Sequence, residues 1–268
     1  MVQKIGFISV NYKNFEVTRD LCKSLESQSG LGELFEIECI IVDNSESEDQ
    51  VKELSSFEFP RLNMRVIDAK RNVGYFGGLN LGLRETNSKY VVICNNDLKF
   101  HEEFCAILIS QDYDPSVFSI APDVVTVDGY RQNPHVLRPM NWFRRMQLDL
   151  YYSNYYIARF MLVLLAVLRP RRRRLPVLHE GQEIHMGIGA CYVLMPGFLN
   201  KFNKLNFPNF LYGEEAYFSK QIHDAGGILW YEPKLNVIHA ESLSTAKIPK
   251  RQTYEYAKEG YPEYRRML

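Results

Sequence analysis

The stretch YVVICNND, Tyr90 to Asp97, decides how this chain is read. Apolar residues run unbroken from Tyr90 to Cys94 and stop at two amides and a carboxylate. Such a run suits a strand buried on both faces, as in a parallel sheet. Upstream, Ile5 to Val10 repeats the pattern and ends at Asn11-Tyr12, and Ile37 to Val42 ends at Asp43-Asn44-Ser45. Arg65 to Ile67 is a shorter example, and Leu21 and Leu25 recur at helical spacing between the runs. Strands alternating with helices predict an α/β sheet covered on both sides. In such sheets ligands bind beyond the carboxyl ends of the strands, which is where these polar clusters fall.

Composition narrows the class further. Of 268 residues, 46% are hydrophobic and 24% charged, which describes a folded protein with a core of useful size. Lys plus Arg and Asp plus Glu are each 32, so a uniformly basic nucleic-acid binder is excluded. Cys22, Cys39, Cys94, Cys105 and Cys191 form no CxxC pair and sit among apolar neighbours. They read as buried free thiols of a reducing compartment. The opening MVQKIGFISVNY lacks the long apolar region of a signal peptide, which predicts a cytosolic chain.

The middle departs from the pattern and suggests three segments: 1–130, an insertion at 131–182, and 183–268. Within the insertion, YYIARFMLVLLAVL (Tyr155 to Leu168) precedes RPRRRR (Arg169 to Arg174). That apolar run is shorter than the roughly 20 residues a bilayer span needs. Apolar and aromatic residues followed by arginines suit a helix lying in an anionic membrane surface, so Tyr151 to Arg174 is expected to dock there. A buried helix with a solvated basic end is the alternative. Beyond the insertion, GACYVLMP reads as a strand, and LYGEEAYFSKQIHDAGG as an amphipathic helix stopped at Gly226-Gly227. ILWY and NVIHA read as two further strands, and Tyr254, Tyr256, Tyr261 and Tyr264 mark a tail that offers a contact surface.

Individual motifs carry limited chemistry. NVGYFGGLNLGL, Asn72 to Leu83, allows close backbone approach and presents a helix N-terminus to an anion, but it is neither GxGxxG nor a P-loop. Asn95-Asn96-Asp97 offers hard oxygen ligands for Mg²⁺ or Mn²⁺; alone, it is more simply an Asx-turn. Glu214 and Glu215 open a helix, where they suit the macrodipole and one of them is placed to act as a general base. His239 ends a strand and is a candidate ligand.

Their order resembles glycosyltransferase family 2: strand–VNY, strand–VDNS, NVGYFGGLN, strand–NND, GACYVLMP, YGEE, VIHAES. The resemblance covers residues 4 to 100 and 183 to 243. It implies the GT-A fold, a Rossmann-like nucleotide-binding mixed sheet with helices on both faces, here with a helical, membrane-facing insertion. It implies that Val10, Asn11 and Tyr12 lie near the base and ribose, and that Asp43 recognises the nucleobase. Asn72, Gly74, Phe76 and Asn80 would border the nucleotide. Asn95-Asn96-Asp97 stands in place of the DxD motif, with Asn95 where the first aspartate is usual and Asp97 at the metal position. Glu215, with Glu214 beside it, matches the catalytic base, and His239 the residue completing the metal site.

The resemblance further implies an inverting transferase using a dTDP- or UDP-sugar, Mg²⁺ or Mn²⁺, and a lipid-linked glycan acceptor. The expected setting is bacterial surface polysaccharide assembly on the inner face of the cell membrane, with closest likeness to rhamnosyltransferase members. Two rivals remain: a nucleotidyltransferase, for which VNYKNFE supplies no basic glycine-rich phosphate loop, and a non-catalytic membrane-associated scaffold.

Overall fold

The computed structural model describes residues 2–168, 177–240 and 250–265. β1 (Gln3–Asn11), β2 (Phe35–Asp43), β3 (Leu62–Asp68) and β4 (Tyr90–Asn95) form a parallel half-sheet in the order β3-β2-β1-β4. α1 (Phe15–Glu26), α2 (Glu48–Ser55) and α3 (Tyr75–Leu83) make the connections. Adjacent residues of β1 enter different cores, which is why the run is continuously apolar. Phe7 packs with Leu21, Leu25 and Phe104, whereas Ile8 packs with Ile40, Leu79 and Phe218.

The second half of the same nine-stranded sheet is mixed. β8 (Cys191–Leu194) runs antiparallel to β4 and is followed by β6 (Val117–Thr126), β9 (Ile228–His239) and β5 (Leu98–Phe100). β7 (Gln182–Glu183) pairs with the first part of β9. ILWY and NVIHA are therefore one strand, not two. Its register against β6 jumps between the Pro122–Glu232 and Asp123–Asn236 pairs. Pro233, which has no N–H to give a ladder, lies within the jump. β6 was not anticipated, because Pro122 and Asp123 interrupt its apolar pattern.

α4 (Phe104–Ser110) covers one face, while α7 (Pro196–Lys201) and α8 (Glu214–Asp224) cover the other. The insertion folds as α5 (Trp142–Ser153) and α6 (Tyr155–Leu168), and α9 (Lys250–Tyr264) packs beside them. The tyrosine-rich tail is thus largely an internal contact: the Tyr152 ring stacks on Tyr261 at 4.4 Å and on Tyr254 at 6.1 Å. Among the described residues no helix is long and apolar enough to cross a membrane. All five cysteines are free and buried, as their apolar neighbours predicted.

α3 lies unusually close to the sheet because glycines face it. A Cβ at Gly82 would stand 2.4 Å from Ile8 Cγ2, and one at Gly78 would stand 2.8 Å from Val10 Cγ2. Replacing Gly82 with Ala would force α3 outward or Ile8 off its rotamer. Urea denaturation is expected to show a loss of about 1–3 kcal/mol in Gly82→Ala, with the far-UV spectrum unchanged.

Candidate active site

The carboxyl ends of β1, β2 and β4 are joined by one hydrogen-bond network. Asn11, fully buried, donates through Nδ2 to Asp43 Oδ1 at 2.6 Å and to Ser45 Oγ at 3.2 Å. Its Oδ1 accepts from Thr18 Oγ1 at 2.9 Å, and Thr18 Oγ1 in turn accepts from Asn96 Nδ2 at 2.9 Å. Asp43 also accepts from Ser45 Oγ at 2.6 Å. A buried carboxylate needs such donors to offset lost hydration. Val10 packs against α3, while Tyr12 is half-buried with Lys13 Nζ 5.1 Å from its ring centre. Thr18 and Ser45 were missed; their roles depend on contacts that no local pattern reports.

The α3 loop is fastened to the segment preceding α8. Asn72 Oδ1 accepts from Gly74 N at 3.0 Å, and Gly74 O accepts from Asn44 Nδ2 at 2.9 Å. Gly74 has φ 76°, and a Cβ there would stand 2.4 Å from Phe210 O. Only glycine fits that crossing. Asn80 gives its whole amide to the Leu205 backbone, donating at 3.0 Å and accepting at 2.7 Å. Phe76 is buried edge-on against Phe207 and Phe218. These two hold the loop and α8 in place from inside the fold, and the exposed border is formed by Asn72 and its neighbours.

Asp97 and His239 are brought together by strand register. β5 begins directly after Asp97, and Leu98 pairs with His239. Asp97 Oδ1 and His239 Nε2 stand 3.2 Å apart, both largely buried. His239 Nδ1 lies 2.7 Å from Gln132 Oε1, which as an acceptor fixes the proton on Nδ1. Nε2 then faces Asp97 Oδ1. The Asp97 carboxylate is a hard oxygen donor of the kind that would suit Mg²⁺ or Mn²⁺. Among the described residues no group of three or more His, Cys, Asp or Glu surrounds this point. Asn95 is half-buried, and its backbone N–H bonds Ala190 O at 2.8 Å.

The two glutamates at the start of α8 differ sharply. Glu215 is half-exposed, and its Oε1 accepts from Gly189 N at 3.2 Å. Glu214 is 8% exposed, and burial, with the Glu215 charge beside it, pushes its carboxyl up to about 8. Glu214 thus favours its neutral form, next to a better-hydrated partner. On α3, the buried hydroxyl of Tyr75 has no hydrogen-bond partner among the described residues. Burial raises its phenol well above the ordinary value, and the neighbouring Cys94, Cys191, Asp97 and Glu214 act in the same direction. Asp97 and Glu214 thus both act electrostatically on one phenol. Tyr75 too was missed, since one aromatic in a glycine-rich loop carries no signal.

Residues 7–170 match the sequence profile of Glycosyl transferase family 2. The chain belongs to that family. The matched span includes Asn11, Asp43 and Asp97 but stops short of Glu215 and His239, which are argued from geometry. A hexosyltransferase of low-salt glycan biosynthesis, Agl10 of Haloferax volcanii, is 26% identical over 226 residues, covering 81% of this chain and 61% of that relative. Among solved structures, GalNAc-T7 with UDP, GalNAc and Mn²⁺ has a TM-score of 0.68 at 14% identity, covering 98% of this chain and 48% of that one. The mannosyltransferase PcManGT of Pyrobaculum calidifontis, with GDP-Man and Mn²⁺, has a TM-score of 0.56 at 14% identity, with coverages of 94% and 59%. S. aureus TarS with UDP-GlcNAc gives 0.59 at 14%, with coverages of 92% and 62%. These likenesses establish a GT-A-like mixed α/β sheet. None of these names lends support to a rhamnosyl preference.

A raised carboxyl value has a signed consequence for stability. Above the ordinary glutamate value of 4.5 the unfolded chain releases the Glu214 proton while the folded chain keeps it until about pH 8. Stability from this group therefore falls as pH rises through that window and levels off above it. Glu214→Gln removes the ionisation. Its denaturation midpoint is expected to exceed that of the wild type at pH 8.5 and to approach it at pH 5, as read by urea titrations at both.

Proposed function

We propose that this protein is an inverting glycosyltransferase that moves a hexose from a UDP- or dTDP-sugar to a hydroxyl of a lipid-linked glycan. It would work in glycan assembly at the cytosolic face of a cell membrane. The observation that carries the reading is the approach of Asp97 to His239 through the β5–β9 pairing, together with Glu214 and Glu215 at the start of α8, where Glu215 accepts from Gly189 N. Relatives with UDP-GlcNAc and GDP-Man in their solved structures support a nucleotide-diphosphate sugar as the donor class.

The roles follow from the chemistry of each group. Asp43, reached through Asn11, and the ring of Tyr12 serve the base and ribose, and Asn72 and the Gly74 turn border the nucleotide. Asp97 and His239 would hold Mg²⁺ or Mn²⁺, which, when bound, neutralises charge developing on the diphosphate. Glu215 accepts the proton of the acceptor hydroxyl as its oxygen bonds to the anomeric carbon. The bond from that carbon to the diphosphate breaks on the opposite side, and the configuration inverts. Glu214, in its neutral form, keeps a second negative charge away from the base and can donate a hydrogen bond.

Two experiments test this. Glu215→Gln is expected to lower kcat about 10²- to 10⁴-fold while nucleotide binding persists; unchanged turnover would remove Glu215 from the base position. Thermal shift with UDP, dTDP, GDP and ADP, each with and without Mn²⁺, should give a metal-dependent rise confined to UDP or dTDP. That rise should vanish in Asp97→Ala. Nucleotide binding without turnover on any donor would mark a scaffold that keeps the fold.

A further inference from the structure

The α5–α6 pair is apolar on both sides, and among the described residues only one side is covered. On α5, Leu148 and Tyr152 pack toward Tyr261, with Asp149 between them accepting from the Tyr261 hydroxyl at 2.7 Å and paired with Arg265. The opposite face carries Trp142, Phe143, Met146 and Leu150, exposed by 70, 55, 53 and 51%. α6 is apolar nearly all round. Ala158 is buried and Tyr155 rests on Tyr254, yet Tyr156, Phe160 and Val163 are 70, 68 and 61% exposed. A helix hydrophobic on every side is not stable in bulk water. Contiguous apolar faces of this kind mark an interaction surface.

Charge selects the occupant. From Arg131 to Leu168 the chain carries five arginines and one acidic residue; Arg131 is paired with Asp123 and Asp149 with Arg265, which leaves Arg138, Arg144, Arg145 and Arg159 with no ion pair among the described residues. Arg144 and Arg159 are exposed beside the apolar face, with no acidic side chain on α6. Over residues 131–182 there are ten arginines against two acidic residues, a net +8 in a chain whose total is zero. Arg169 and Arg171 to Arg174 contribute to that count, but they lie outside the described residues and are no part of the surface argued here. A second copy of this chain would set the same positive surface against itself. An anionic lipid surface complements it and admits the aromatic rings. At 14 residues, α6 is about 21 Å long, less than the roughly 30 Å hydrocarbon core, so it lies in the interface and does not cross it.

We propose that the exposed face of α5 and α6, from Trp142 to Leu165, docks the protein on an anionic membrane surface with both helices in its plane. The surface argument stands on these observations alone; only its consequence, access to a lipid-linked acceptor, rests on the transferase reading. The test is co-sedimentation with phosphatidylcholine vesicles, alone or containing about 30% phosphatidylglycerol. Wild type should bind the anionic vesicles, release with salt, and shift its tryptophan emission to the blue. Trp142→Ser and Phe160→Ser should each weaken binding about tenfold. Both side chains are exposed, so the variants are expected to keep the wild-type denaturation midpoint. Equal binding to neutral vesicles, or no binding, overturns the proposal. So does a wild-type dimer that these substitutions convert to monomer. Nucleotide-dependent thermal shift, run in parallel, reports on the transferase site independently of either result.

Discussion

The buried amide of Asn11 is the point on which the site depends. It stands at the end of β1 with no exposed surface, so both ends of its amide must be used. Nδ2 reaches Asp43 at the end of β2, and Oδ1 reaches Thr18 on α1, which also holds Asn96 beyond β4. Three neighbouring strand ends are thereby locked to one another, and a carboxylate is kept buried without a cation. An apolar residue at Asn11 would leave Asp43 and Thr18 each short of a partner. A buried acceptor left unpaired costs about 1–3 kcal/mol, and more when it is charged. The same bonds that shape the rim therefore stabilise it, so the rim is rigid before any ligand arrives.

Rigidity there would be of little use unless the far half of the chain met it. Two non-local constraints bring it in. The antiparallel pairing of β5 with β9 sets His239 beside Asp97, although 142 positions separate them in sequence. The segment before α8 is clamped from both sides, by Asn80 at Leu205 and by Gln221 at Lys204 and Asn206. Phe210 then crosses Gly74 at a distance no side chain permits. A shift of the α3 loop would therefore be felt at Glu214 and Glu215 through a few covalent links. The α3 loop and the start of α8 are mechanically one unit.

How legible was this in the sequence? Strands buried on both faces were plain, because a continuous apolar run has few other uses at that length; β1, β2 and β4 are found where Ile5, Ile37 and Tyr90 open their runs. β6 and the middle of β9 were not, since Pro122, Asp123 and Pro233 break the pattern and the neighbouring strands compensate. At the site, Asp97, His239 and the glutamates were legible as an ordered set of motifs. Thr18, Ser45, Gln132 and Tyr75 were not, because each acts through a partner distant in sequence and none is unusual where it stands. Phe76 and Asn80 show the converse: the loop that contains them was readable, but which of its side chains turn inward was decided by α8 and Leu205.

The helical insertion completes the logic by its unequal faces. One face of α5 joins Tyr261, Ala216 and Tyr217 in a small core of its own, and Ala216 lies one residue beyond Glu215 on α8. The insertion is thus packed onto the helix that opens with both glutamates, and whatever settles on its outer face is linked to them through a short stack of rings. A chain with balanced charge has no general attraction to an anionic surface; concentrating arginine in one segment gives it an orientation as well as an affinity. The remaining residues carry a net −8, so the proposed docking would orient the protein as well as attach it. Orientation, more than strength of attachment, is what the proposed transferase would need on a tethered acceptor, since Glu215 would have to face the hydroxyl on each encounter.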